Sequence, residues 1–357
     1  MKRHRRQRFA QRRWKSAAAI ALLGPMVAAL SACASSSDGA RARETGHLTR
    51  LSICNSGLGG VQAVAVYAQD NGVFSRYGLD VDITLVSGGS RAVPAMTSGS
   101  VPLCLMAGVP VANAVLAGAD IAVVGTLVDT YTYALVAGQD IRTPADLKGR
   151  AVAISAPGSA SSTAMGIALE RLGLRRAGDV SMVAIGSHRQ RLAALEAGYV
   201  AAALLDYPEV HLALARGFKT MLDMAPLALP TLHTCIAVNR AFLREHRPTV
   251  LRFVQAISHA VFAIKRDRPG ALAALGKYTQ LDPKGHAAAL EKTYEVVQKG
   301  QLKDIPYASD AGMAAVLAEA ARNHPGARVP RPDELADHSL VADLERSGFF
   351  EKLEWAR

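Results

Sequence analysis

Aromatic residues are scarce in this chain, at 5 % of 357 positions with only 2 tryptophans. Too few rings are available for the stacking platforms that hold single-stranded nucleic acids. Charged residues reach only 20 %, which does not fit a coiled coil. Cysteine occurs 4 times, never as Cys-x-x-Cys and never beside clustered histidines, so no metal and no other cofactor is expected. The catalytic patterns G-x-S-x-G and H-E-x-x-H are absent, as is the phosphate loop G-x-x-x-x-G-K-[ST]. No Ser, His and Asp set can be assembled into a triad from spacing, and an enzyme is not expected.

What is present is apolar and glycine-rich: 50 % hydrophobic residues, 30 glycines and 16 prolines. A chain of this length and content builds real cores, in one large or two medium domains, and disorder is excluded for most of it. The net charge of +11 looks like the mark of a polyanion binder until it is located. Eight Lys/Arg and no acid fall in residues 1–32, while the rest of the chain holds 33 basic against 30 acidic residues. A nucleic-acid partner is therefore not expected.

The basic segment leads into the apolar run Ala17 to Leu30 and then into small residues, the three regions of a secretory signal. Fourteen helical residues rise about 21 Å, short of the ~30 Å hydrocarbon layer, so a permanent span is the weaker reading. Leu30-Ser31-Ala32-Cys33 resembles the bacterial lipobox, which makes Cys33 the expected lipidation site and residues 1–32 a removed signal peptide. Residues 33–47 are small and polar, without periodicity, as a flexible tether would be. The folded part is expected outside the cytoplasm, in the periplasm or its equivalent, held to the membrane by lipid.

Cys54, Cys104 and Cys235 each sit inside an apolar run. Three buried thiols acting as small hydrophobes are the simpler expectation. A Cys54–Cys104 bridge would require neighbouring strands, and parallel neighbours rarely present bridging geometry.

From residue 50 onward, short apolar runs alternate with helical-period stretches, the pattern of βαβ units. Strands are expected at Leu51–Asn55, Leu79–Val86, Leu103–Met106 and Ile121–Val128, and in a second series at Leu135–Ala137, Ala151–Ile154, Val180–Ile185 and Ala201–Leu205. Thr234–Val238 is a returning strand, and nearly everything after Asn239 is helical. One lobe is thus inserted into another: residues 48–133 and 239–357 form the first, residues 134–238 the second. The chain crosses between them twice, which makes a hinge.

Three stretches carry a resemblance: Ala68-Gln69-Asp70-Asn71-Gly72-Val73-Phe74 with Tyr77-Gly78-Leu79-Asp80-Val81, Thr143 to Ala153 (TPADLKGRAVA), and Arg191 to Gly198 (RLAALEAG). Collinear over roughly residues 50–300, they resemble the nitrate/sulfonate/taurine-type (SsuA/THI5-like) solute-binding proteins of ABC importers. The resemblance implies a type II periplasmic-binding-protein fold of class α/β. Each lobe would be a mostly parallel sheet flanked by helices, with a helical C-terminal part. It also implies a monomer that closes on a small-molecule solute and delivers it to a permease and its ATPase. A lipid-anchored sensor without transport, or an enzyme like those making the thiamin pyrimidine, are the alternatives.

Ligands of open α/β sheets bind at the carboxyl ends of strands. Those ends hold Ser56, Gly57 and Leu58, then Gly89 and Ser90, in turns whose backbone would approach a solute. Ser159, Ser161 and Ser162 surround the expected start of a helix, where free N–H groups suit an oxygen-rich group; one hydroxyl would cap while its neighbours bind. Asp129 and Tyr131 leave a strand near the hinge, with Tyr131 suited to packing on a ligand. His188 follows another strand, where a satisfied turn role is the simpler one, and Arg191 reads as a solvated face. Asp206 and Tyr207 end the run Ala201–Leu205, and Asp206 either accepts from a solute donor or caps the next helix, capping being the simpler role. Cys33→Ala is expected to release the protein from the membrane fraction, and unchanged retention would contradict the lipobox reading.

Overall fold

The computed structural model describes residues 47–355. The expected signal peptide, Cys33 and nearly all of the tether lie outside the described residues. Among the described residues ten strands form: β1 Thr49–Asn55, β2 Leu79–Leu85, β3 Leu103–Met106, β4 Ile121–Thr130, β5 Ala134–Ala137, β6 Ala151–Ile154, β7 Ser181–Ala184, β8 Ala202–Leu205, β9 Lys219–Asp223 and β10 Pro230–Asn239. They form two five-stranded sheets, ordered β2-β1-β3-β10-β4 and β7-β6-β8-β5-β9. Helices flank both, and after β10 the chain is helical, as its periodicity requires.

Each sheet is parallel on one side and antiparallel on the other. β1 pairs in parallel with β2 and β3, and β6 with β7 and β8. β10 runs antiparallel to β3 and β4, and β5 antiparallel to β8 and β9. The cause is the double crossing: the chain leaves the first sheet along β4 and comes back along β10. The outward crossing is Tyr131-Thr132-Tyr133. The return falls earlier than the sequence pattern places it, because Pro230 already pairs with Thr130, so residues 230–238 belong to the first sheet. Thr231 and His233 look like connector residues yet are 2 % and 3 % exposed, covered by the neighbouring strand and lobe.

Burial of strands on both faces explains their continuous apolar runs. All four residues of β3, β5 and β8 are buried. One apolar cluster runs without interruption from Ile53 and Val64 in the first lobe to Leu205 and Val210 in the second, so the lobes are packed together. β9 has no expected counterpart; it is a half-buried edge strand whose run is too short and mixed to stand out. The terminal helical stretch breaks at Gly348, whose φ of +65° separates Ser339–Arg346 from Phe349–Trp355.

The cysteines correct the expectation of three free thiols. Cys54 and Cys104 face each other in the β1–β3 register with Cα atoms 4.4 Å apart, and they are disulfide-bonded. Cys235 is free and buried, its thiol pushed up to about 12 by burial. In denaturant without reductant, protein lacking residues 1–46 is expected to titrate one thiol; three would contradict the bridge. Cys104→Ser is expected to lower stability by about 2–4 kcal/mol.

Candidate functional site

The carboxyl ends of the parallel strands of both sheets face one another across the seam. From the first lobe come the loop after β1, the turn Ser87-Gly88-Gly89 after β2, and Ala107 after β3. The β1 loop is held by backbone bonds: Ser56 N–H donates to Leu105 (3.0 Å) and Gly88 N–H to Ser56 (3.0 Å). Gly88 has φ +93°, a conformation side chains disfavour, and a Cβ there would also stand 3.3 Å from Ser155 Oγ of the other lobe. From the second lobe come the Ser155–Ser161 turn after β6, the Gly186-Ser187-His188 turn after β7, and Asp206 after β8.

The enclosed space is about 40 Å³. That admits a few water molecules or a comparably compact polar group. The lobes are joined around it by Gly60 N–H to the Tyr207 carbonyl (3.1 Å) and Asn113 Nδ2 to the Gly158 carbonyl (3.2 Å). Arg176 adds a two-pronged ion pair with Glu319 (2.8 and 3.1 Å).

Arg191 dominates the wall. It is 1 % exposed, and its Nη2 donates to His188 Nδ1 at 2.8 Å. Its Nε and Nη1 have no partner at all. Burial is the main reason its basicity falls to about 10, which leaves it cationic at neutral pH. His188 Nδ1 also accepts the Asp206 N–H at 3.0 Å, so its proton resides on Nε2. Burial first, and then the Arg191 charge, hold His188 down to about 3. A neutral ring therefore offers Nε2–H as a donor, 4.0 Å from where a Gly57 Cβ would lie.

Beside this pair, on the same lobe, stands an acidic group whose valences are mostly filled. Asp206 Oδ1 accepts from Tyr207 N–H (2.8 Å) and the Thr132 hydroxyl (2.7 Å), and Oδ2 lies 3.3 Å from His233 Nε2. Burial opposes ionisation of Asp206, but hydrogen bonding and charge from His233, then His188 and Thr132, outweigh it and keep the carboxyl below its usual range. Because the Thr132 hydroxyl donates to Asp206, it accepts from His233 Nε2 at 2.8 Å. Tyr133 closes this end, its ring 4.8 Å from that of His233.

The serines are organised among themselves. Ser155 N–H donates to Ser161 Oγ (2.8 Å), Ser155 Oγ to Ser159 Oγ (2.9 Å), and Ser159 Oγ caps the helix Ala160–Arg171 through Ser162 N–H (3.3 Å). Ser159 thus caps and lines the cavity together.

Of the residues expected at a site, Ser56, Gly57, Leu58, Gly89, Ser159, Ser161, His188 and Asp206 meet at this cavity. Five do not. Asp129 is taken up by Lys303 (2.7 Å), and Tyr131 is buried in the second-lobe core. Tyr207 sends its hydroxyl to Asp223 (3.2 Å) and packs on His211. Ser90 faces an outer groove with Val93 and Pro110, and Ser162 contributes backbone to the cap. Asp206 does not cap the following helix, whose N-cap is Pro208 without any side-chain bond. Arg191, read as solvated, is the most buried large side chain of the site, and His233, Tyr133, Ser155 and Gln62 join it. The His188/Arg191 spacing of three places both on one helical face, which is the signal that was available. Among the described residues no acidic, His or Cys cluster suits a metal.

Two mixed sheets whose strand ends enclose a cavity at a double crossing define a periplasmic-binding-protein fold. The chain belongs to the NMT1/THI5 like family, whose sequence model matches residues 61–268. It is similar to the alkanesulfonate-binding protein SsuA of Xanthomonas axonopodis pv. citri, solved with MOPS bound, at 22 % identity and TM-score 0.66, covering 83 % of this chain and 97 % of that one. The periplasmic nitrate-binding protein NrtA of Synechocystis PCC 6803 superposes at TM-score 0.71 and 12 % identity, covering 84 % and 89 %. A Candida albicans protein with the generic periplasmic-binding fold, CA3427, gives 0.62 at 14 % identity, covering 84 % and 95 %. No protein of curated function matches the sequence. No described helix is long and apolar enough to cross a membrane.

Gly59 tests the seam. Its φ of −74° suits any residue, but a Cβ would lie 2.6 Å from Asp206 Oδ2 of the other lobe. Gly59→Ala is expected to obstruct closure and weaken solute binding at least tenfold (~1.4 kcal/mol). Unchanged affinity would contradict the contact.

Proposed function

We propose that this chain is an extracytoplasmic solute-binding lipoprotein, lipidated at Cys33, that captures a small polar or anionic organic solute of the sulfonate, nitrate or taurine kind. Hinge closure delivers the solute to an ABC permease and its ATPase. The observation that carries the reading is Arg191: a buried guanidinium at an inter-lobe cavity, with Nε and both Nη1 hydrogens unmet. An oxyanion supplies the acceptors such donors lack, through charge-assisted bonds. His188 Nε2–H supplies a further donor. The similarity to sulfonate- and nitrate-binding proteins supports the same class of solute.

The chemistry of the walls supports binding over catalysis. The serine hydroxyls are spent on one another, His188 has its basic nitrogen occupied, and Asp206 is held by donors on both oxygens. None of these groups is poised to move a proton. Closure needs contacts made with both lobes, since only those favour the closed state over the open one. Micromolar affinity, about −8 kcal/mol, suffices for capture.

In a thermal-shift panel of sulfonates, nitrate, amino acids and pyrimidines, the small oxyanions are expected to raise the melting temperature by mass action. Arg191→Met should abolish that response while the protein stays folded, because a buried charge replaced by an apolar chain of similar volume is tolerated. A full response in the variant would remove Arg191 from the site.

A further inference from the structure

Glu209 opens the helix Glu209–Ala215 and is 1 % exposed, yet neither of its carboxylate oxygens has a hydrogen-bond partner. It lines a second cavity, of about 340 Å³, that shares no lining residue with the inter-lobe site. The charged groups facing it are Arg189 and Arg191 on the helix His188–Glu196, Asp206 at the end of β8, and, around the rear cavity, Glu196, Arg216 and His286. Arg191 lines the solute cavity and Glu209 the rear one; the two buried charges of opposite sign act on each other without forming an ion pair. Such a carboxylate is a poor anion: burial first, and the nearby Asp206 second, push it up to about 7, against the pull of Arg189 and Arg191.

We propose that Glu209 is the proton-carrying counter-charge of Arg191, protonated when an anion occupies the solute cavity and ionised more readily when it does not. This rests on the anionic-solute reading above. An anion seated on Arg191 consumes the cation that Glu209 senses and adds a like charge near it, so binding draws a proton onto Glu209. Affinity accordingly rises as pH falls through about 7. Glu209 does not line the solute cavity; it acts through Arg191 as a positioning residue.

The test compares the purified full chain with Glu209→Gln, which keeps shape and removes titration. The folded value lies above the unfolded one, so wild-type stability is full below the ordinary Glu range, falls as pH rises toward about 7, and is level beyond it. The melting-temperature gap between Glu209→Gln and wild type is therefore expected to be small at acid pH and to widen up to neutrality; parallel profiles would overturn the proposal. Calorimetric titration with ethanesulfonate at pH 7, in two buffers of unlike ionisation heat, should show proton uptake in wild type and none in Glu209→Gln. If the anion raises Glu209 by about one unit, wild-type affinity drops about tenfold from acid to alkaline pH while the variant stays flat. Equal uptake in both proteins would also overturn it. Absence of ethanesulfonate heat from both, with the stability gap still widening, would sink the anionic-solute reading and uphold the proton on Glu209.

Discussion

A guanidinium can leave water only if its hydrogen-bond donors find acceptors elsewhere, and an unmet buried charge costs several kcal/mol. Arg191 breaks this rule: one nitrogen is bonded to His188 and two are bare. Arg191 lines the cavity, so the deficit is an unmet demand for an acceptor beside it. His188 matters because its Nδ1 takes both the Arg191 and the Asp206 donors, locking the guanidinium in place and turning its own Nε2–H toward the seam. Asp206, whose N–H bonds the same His188 nitrogen, balances the charge from the same lobe without competing for Arg191, since its oxygens are already engaged by Thr132, Tyr207 and His233.

The fold encloses that deficit between its two sheets. Parallel strand ends from two sheets converge there, and glycines let the lobes approach where any side chain would collide. β4 and β10 form the paired ribbon from which the second lobe is hung, so the crossings sit side by side. The disulfide ties β1 to β3 two and three residues before Ser56 and Ala107, the first cavity-lining residues after those strands, stiffening the first-lobe wall. Arg176–Glu319, Asn113–Gly158 and Gly60–Tyr207 bond the two lobes to each other.

Much of this architecture is written plainly in the amino-acid order. Leu103–Met106 and Ala151–Ile154 coincide with β3 and β6 because strands buried on both faces need unbroken apolar runs. Ser56–Leu58, Gly89 and the serine turn were legible because ligand edges follow from strand direction. What stayed hidden depends on which neighbour covers which face. β9 is an edge strand with mixed burial, and Thr231 and His233 look polar until the second lobe is laid over them. Arg191 on a helix is indistinguishable from a solvated arginine until that helix is placed against the seam. Cys54 and Cys104 pair because β1 and β3 are adjacent and in register, a long-range fact that spacing does not encode.

The account turns on whether Arg191 receives the solute. Proton–nitrogen NMR of the Arg191 Nε–H, assigned by its loss in Arg191→Lys, reads this directly. A solute-dependent shift of that resonance and slower exchange of its proton with water are expected, saturating together with the rise in melting temperature. A solute that stabilises the protein fully while leaving the Arg191 Nε–H shift and exchange untouched would contradict it.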